Sequence, residues 1–178
     1  MCNRIHLLLI EDNPSDCRLI REVLSEPEAI AVRLERTGEL ADGLERLAQQ
    51  AYDAVLLDLH LPDSQGLETL ARLRTRAPWL PCVILTDLDD EALAAAAARM
   101  GAQDYLIKTQ VTAVRLSQAI RHAIEQQRAA SGLARERNLS RTLIDRLRDL
   151  INVKDTLSRL VVANRSGRVS RVWPRRPN

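Results

Sequence analysis

Residues 55–68 read VLLDLHLPDSQGLE, and this stretch decides the fold. Val55-Leu56-Leu57 is an uninterrupted apolar run, the pattern of a strand buried on both faces. Asp58 ends the run, which delivers a carboxylate to the carboxyl edge of a parallel sheet. Pro62 and Gly66 then turn the chain away from that edge into the next helix without covering the carboxylate. In open α/β folds this edge is where ligands bind and chemistry is done.

Outward from Asp58 the same alternation repeats. Ile5 to Ile10 is a buried strand ending at Glu11-Asp12, and Asn13-Pro14-Ser15 opens a helix through Cys17, Ile20, Val23 and Leu24. Ile30 to Leu34 alternates as a second strand, followed by a helix over Leu40, Leu44 and Leu47. Asp53 to Asp58 is the third strand, and its helix stops before Pro78. Cys82 to Leu85 is a fourth strand ended by Thr86. The alanine-rich helix after it runs to Met100 and is closed by Gly101. Tyr105 to Ile107 is a short fifth strand ended by Lys108, and a fifth helix begins near Thr112. Parallel neighbours need helical crossovers, so five such units predict a doubly wound five-stranded parallel sheet. Glu11, Asp12, Asp58, Thr86 and Lys108 each close a strand, and one fold rule gathers them into one crevice.

Size and charge bound the rest. A chain of 178 residues with 46% apolar content suits one domain of about 1–130 plus an appendage. The first apolar run, Leu7 to Ile10, is too short for a membrane span or a secretion signal, which predicts a cytoplasmic protein without membrane insertion. Cys2, Cys17 and Cys82 lack paired or metal-like spacing and read as reduced thiols. Phe is absent and aromatics make up 2%, so stacking on nucleic-acid bases is not expected. Residues 1–131 hold 14 Lys and Arg against 20 Asp and Glu, a balance of −6; residues 132–178 hold 12 against 4, a balance of +8. Two regions with different partners follow.

Taken singly, a carboxylate at a strand end is more often a cap, Lys108 a surface lysine and Thr86 a strand residue. Together they describe a chemistry. Three crowded carboxylates, Glu11, Asp12 and Asp58, call for a hard cation, and Mg²⁺ suits oxygen ligands and a later phosphate oxygen. With no His or Cys cluster, zinc is not expected. Beside a cation, an aspartate can act as nucleophile toward phosphorus, with Lys108 and Thr86 placed to receive the charge on the transferring group.

The stretches LLLIEDNPSD, DAVLLDLHLPDSQGLETL, VILTDLDDE and GAQDYLIK, spread over about residues 4–128, resemble the receiver domain of two-component response regulators. The resemblance implies a flavodoxin-like sheet in the order 2-1-3-4-5 and a phosphoacceptor signalling domain rather than an enzyme. It makes Asp58 the acceptor from a histidine kinase, with Glu11 and Asp12 helping to hold Mg²⁺ and Thr86 and Lys108 contacting the phosphoryl oxygens. Tyr105 matches the family's aromatic switch, coupled to Thr86. Asp87 departs from the small residue usual after the family's Thr, and His60 lies where the family tunes dephosphorylation. Asp87 is either a charge in the crevice or a cap of the helix through Ala92 to Met100. His6 and His122 read as structural.

Beyond residue 131 the apolar positions 139, 143, 147, 150 and 157 predict an amphipathic, coiled-coil-like helix over about 131–160, with Lys154 interrupting its heptad seam. Residues 161–178 read as a short strand-like hairpin or a disordered basic tail. The leading expectation is a switch working through homodimer or partner contacts of that helix. Its alternatives are a fragment of a larger PAS-containing or hybrid signalling protein, a nucleic-acid effector using the basic tail, and a pseudo-receiver that works without phosphorylation.

Overall fold

In the computed structural model the described residues are 4–87, 89–148, 151–154, 160–163 and 169–170, with side chains described as far as Ala130. Contacts divide the chain into two compact units, residues 1–130 and 131–178.

The first unit alternates strand and helix: β1 (Ile5–Ile10), α1 (Pro14–Val23), β2 (Val32–Thr37), α2 (Leu40–Gln49), β3 (Ala54–Asp58), α3 (Leu67–Arg76), β4 (Cys82–Thr86), α4 (Glu91–Arg99) and β5 (Asp104–Ile107), followed by α5 (Ala113–Arg148). The sheet order is β2-β1-β3-β4-β5 with every pair parallel, the flavodoxin-like order that the resemblance implies. Successive residues of a strand point to opposite faces, and here both faces are buried. Leu7 and Leu9 of β1 join Ile20 of α1 and Leu116 and Ile120 of α5 in one core. Leu8 and Ile10 join Leu40 of α2, Leu70 and Leu73 of α3 and Ala97 of α4 in the other. Cys17 and Cys82 are buried in these layers as free thiols. Burial pushes both above the usual thiol range, Cys82 to about 12. No helix among the described residues is long and apolar enough to cross a membrane.

Two expected boundaries move. β2 runs Val32–Thr37 rather than Ile30 to Leu34, because it pairs along all of β1, from Ile5 with Val32 to Ile10 with Thr37. Ile30 instead packs in the core, and its N–H donates to Ser117 Oγ at 3.0 Å. In the second unit the helix expected to reach residue 160 ends at Arg148, and Ile151–Lys154 is a strand, β6. β6 pairs antiparallel with β7 (Leu160–Ala163), which pairs in turn with β8 (Val169–Ser170). β-Branched residues recur in both strands, Ile151 and Val153 in β6 and Val161 and Val162 in β7, with Val153 level with Val161, a composition that favours a pleated ladder over a helix. Leu150, Leu157 and residues 171–178 lie outside the described residues.

The chain leaves β3 through a two-residue ladder that the sequence reading missed, with His60–Leu61 antiparallel to Ser64–Gln65. Gly66 ends it at φ 61° and ψ −147°, a conformation that side chains disfavour. Its N–H donates to Leu59 O at 2.7 Å. The Asp63 carboxylate reaches away to accept from Leu40 N and Ala41 N, both at 2.9 Å, supplying the N-cap that Glu39 does not make. Although burial opposes it, these two backbone donors hold the Asp63 carboxyl below its ordinary value. The loop after Asp58 is thereby tied to α2 and kept off the crevice.

Candidate functional site

The parallel registers place the candidate residues at one edge. Ile10 is level with Leu57, Asp58 with Leu85 and Thr86 with Ile107. Glu11, Asp58, Thr86 and Lys108 therefore emerge side by side at the carboxyl ends of β1, β3, β4 and β5. Asn13 makes the turn after Glu11-Asp12 possible: its side chain accepts from Ser15 N at 2.9 Å as the N-cap of α1, with Pro14 at the first helical position. From β2, the Arg36 guanidinium donates to Glu11 O at 3.4 Å and Asp12 O at 3.1 Å, bracing that turn from outside.

Lys108 is the hub. Its ammonium is 2% exposed and lies 2.7 Å from Glu11 Oε2, 2.8 Å from Asp16 Oδ2, 3.0 Å from Asp58 Oδ2 and 3.8 Å from Asp87 Oδ2. It donates hydrogen bonds to Asp16 and Asp58. Burial works against its charge, but Asp16, Glu11 and Asp58 outweigh burial and hold its pKa above the ordinary lysine value. Asp58 is itself buried, and its other oxygen, Oδ1, accepts from His60 N at 3.1 Å. Asp16, in the first turn of α1, belongs to the site and was not singled out from the sequence.

Glu11 is fully buried, and its Oε1 accepts from Asn13 N at 3.1 Å. Its Oε2 meets the Lys108 ammonium as an ion pair at 2.7 Å. Burial, and then the Asp58 charge, raise the Glu11 carboxyl from 4.5 to about 7 against the opposing pull of Lys108. Ligand oxygens of Glu11, Asp12 and Asp58 all lie within 4.8 Å of one another, with Asp12 open to solvent. Three carboxylates converging at a buried edge, with an open side for water, fit a hard divalent cation. Histidine and cysteine take no part in this cluster, in keeping with oxygen-only ligation.

Thr86 is fully buried at the end of β4, and Tyr105 is half-buried against the α2–α4 core. Asp87 is exposed, but its carboxylate faces Lys108 rather than capping α4. The cap is Asp90, which accepts from Ala92 N at 2.9 Å and Leu93 N at 3.0 Å. His60 is exposed on the two-residue ladder. His6 sits at the opposite end of β1, with Nε2 3.0 Å from Glu35 Oε1 and Nδ1 3.0 Å from Ala51 O. Hydrogen bonds from Tyr52 and His6 hold Glu35 at about 2. His122 is exposed on α5, with Gln126 at 3.2 Å.

A doubly wound sheet with an acidic crevice and a buried lysine at its carboxyl edge is the architecture of a response regulator receiver domain, and that family matches residues 7–121. The chain belongs to the response regulator receiver family of two-component signalling. It is 36% identical over 106 residues to the alginate biosynthesis transcriptional regulatory protein AlgB of Pseudomonas syringae pv. tomato, covering 60% of this chain and 23% of that protein. It is 35% identical over 118 residues to the regulatory protein LuxO of Vibrio cholerae, covering 66% and 25%. The chain thus spans about a quarter of the length of these curated relatives. Among solved structures, the signal receiver domain of an HD domain-containing protein from Pseudomonas fluorescens Pf-5 superposes with a TM-score of 0.63. It is 27% identical and covers 74% of this chain and 95% of that one.

Proposed function

We propose that Asp58 accepts a phosphoryl group from a phosphohistidine of a histidine kinase, and that the protein is a cytoplasmic signalling switch rather than an enzyme acting on a separate substrate. The observation that carries this is the Asp58 carboxylate, buried at the strand edge and held by Lys108 at 3.0 Å beside the Glu11–Asp12 pair. An Asp58 oxygen attacks phosphorus; the bond from phosphorus to the imidazole nitrogen breaks, and the electron pair returns to that nitrogen, which takes a proton from solvent. Lys108 holds the nucleophile in place by a hydrogen bond and puts a fixed positive charge beside the oxygens that carry the transferring charge. Thr86 contributes a hydroxyl at the neighbouring strand end, and Tyr105 reports the state of Thr86 to the β5 side. Glu11, Asp12 and Asp58 would hold Mg²⁺, which supplies further charge to the phosphoryl oxygens when bound. The test is exposure of the full chain to acetyl phosphate with Mg²⁺ or with excess chelator. The expected label forms only with Mg²⁺ and is released by hydroxylamine, as an acyl phosphate is. A label that forms in chelator or resists hydroxylamine contradicts the reading.

Output through the extension of α5 is the second part of the proposal. Within the helix the sequence repeats leucine at 139, 143 and 147, the spacing of one face over two turns. Burying each leucine against a second copy contributes about 1.5–3 kcal/mol, enough over a few pairs to offset the entropy of association. Light scattering is expected to show a dimer for the full chain and a monomer for residues 1–130. A full-length monomer, or a dimer that survives truncation, places the interface elsewhere.

A further inference from the structure

Two of the three converging carboxylates, Glu11 and Asp12, sit on the turn that leaves β1, so the aim of both follows the backbone of that turn. The last bond of the β1–β2 ladder there is Glu11 N donating to Thr37 O at 2.9 Å. Beyond it the next two carbonyls are gripped by one side chain. The Arg36 guanidinium donates through Nε to Glu11 O at 3.4 Å and through Nη2 to Asp12 O at 3.1 Å. Arg36 reaches them from β2, where it stands level with Leu9. Its rigid planar fork can serve two neighbouring acceptors at once, as a single ammonium on a flexible stem does less well. Glu11 is tied again through Cys17 Sγ, 3.4 Å from its carbonyl, and through Asn13 N, 3.1 Å from its Oε1. Asp12, the carboxylate open to solvent, is held through Arg36.

We propose that Arg36 is a positioning residue for the cation site: by gripping Glu11 O and Asp12 O it holds the turn in the shape that brings the Glu11 and Asp12 carboxylates together with Asp58. The proposal rests on the Mg²⁺-assisted phosphoacceptor reading above. Arg36 touches neither the reacting atoms nor the cation, and both of its donors go to carbonyl oxygens of the turn. Its charge and its grip act in opposite directions. A guanidinium beside a cation site repels the cation, so if Arg36 served only as a counter-charge to the acids, its loss would tighten cation binding. If it holds the turn, its loss weakens binding, because carboxylates that no longer converge must be gathered before a cation can use them.

Three replacements on one strand separate the two effects. Arg36→Met removes the charge and both donors, Arg36→Lys keeps the charge but not the fork, and Arg33→Met removes a charge near the other end of β2, where Arg33 is level with His6. Arg33 and Arg36 are exposed, and substitutions at such positions leave a sheet folded. Titration of the full chain with Mg²⁺ alone, followed by calorimetry, is expected to give Arg36→Met weaker than the wild type by about tenfold, the low end of the loss when a group that orients a metal ligand is removed. Arg36→Lys is expected to fall between the two, and Arg33→Met to stay within about twofold of the wild type. With acetyl phosphate as donor, the half-saturating Mg²⁺ concentration of Arg36→Met is expected to rise while the rate at saturating Mg²⁺ is kept. Unchanged or tighter binding in Arg36→Met would overturn the proposal, as would wild-type affinity in Arg36→Lys, equal weakening in Arg33→Met, or a lowered rate at saturation. A wild type that binds Mg²⁺ but takes no phosphoryl group removes the phosphoacceptor reading and leaves the positioning result standing. A wild type that binds no Mg²⁺ overturns both.

Discussion

Lys108→Met is expected to destabilise the domain by about 3–5 kcal/mol at pH 7 without divalent cation, the usual effect of removing one partner from a buried ionic group. Lys108 is the cation common to Glu11, which is fully buried, and Asp58, which is 5% exposed, and neither carboxylate can turn to water when it is gone. Asp16 is freer, because its place at the rim lets it be resolvated. Methionine fills much of the volume of the lysine stem, so the loss reports charge rather than a cavity. Mg²⁺ offers the same carboxylates another counter-charge, and saturating Mg²⁺ should therefore recover more stability in Lys108→Met than it adds to the wild type. Urea unfolding of both proteins with and without Mg²⁺ measures this. An unchanged midpoint in the variant would show that the carboxylates do not depend on Lys108.

The second large effect is a stability profile whose sign follows from Glu11. Its carboxyl is raised from 4.5 to about 7 on folding, first by burial and then by Asp58. Between those limits the folded chain keeps a proton that the unfolded chain has released, so stability falls as pH rises through the window and is lowest above about 7. At 1.36 kcal/mol for each pH unit, the decline amounts to about 3 kcal/mol. Glu35 works in the opposite sense: its depressed carboxyl adds stability above 4.5 that is lost as pH falls toward about 2. Without divalent cation the maximum therefore lies on the acid side of neutrality. Mg²⁺ favours ionised Glu11 and is expected to flatten the decline, whereas Glu11→Gln should flatten it in the absence of any cation and abolish the response to Mg²⁺. Urea midpoints from pH 4 to 8 check this, and a wild-type profile that rises through pH 4.5–7 without cation would contradict it.

What the sequence made legible was whatever is written as punctuation. Asp58 follows three apolar residues, Lys108 follows Leu106-Ile107, and Glu11-Asp12 follow Leu7 to Ile10; the sheet does the rest, because parallel strands of matched register end at one level. Asp16 was illegible because an acid in a first helical turn is already accounted for by the helix dipole, and only three dimensions bring it to within 2.8 Å of a residue 92 positions away. Asp63 and Arg36 were hidden for the same reason, each bracing an element from another part of the chain. Asp87, read either as a charge in the crevice or as the cap of α4, faces Lys108, and the cap is Asp90, a three-residue shift that periodicity does not resolve. Beyond Arg148 the heptad spacing competed with β-branched pairs, and the ladder of β6 with β7 shows which prevailed.

The central claim is that Asp58 is the atom-level destination of the phosphoryl group, and intact-mass spectrometry after exposure to acetyl phosphate and Mg²⁺ tests it most directly. The wild type is expected to gain the mass of one phosphoryl group, and Asp58→Asn, which keeps the shape of the side chain and the hydrogen bond from His60 N, is expected to gain none. A single adduct of the same yield on Asp58→Asn, or a wild type left unmodified at saturating Mg²⁺, would contradict the account.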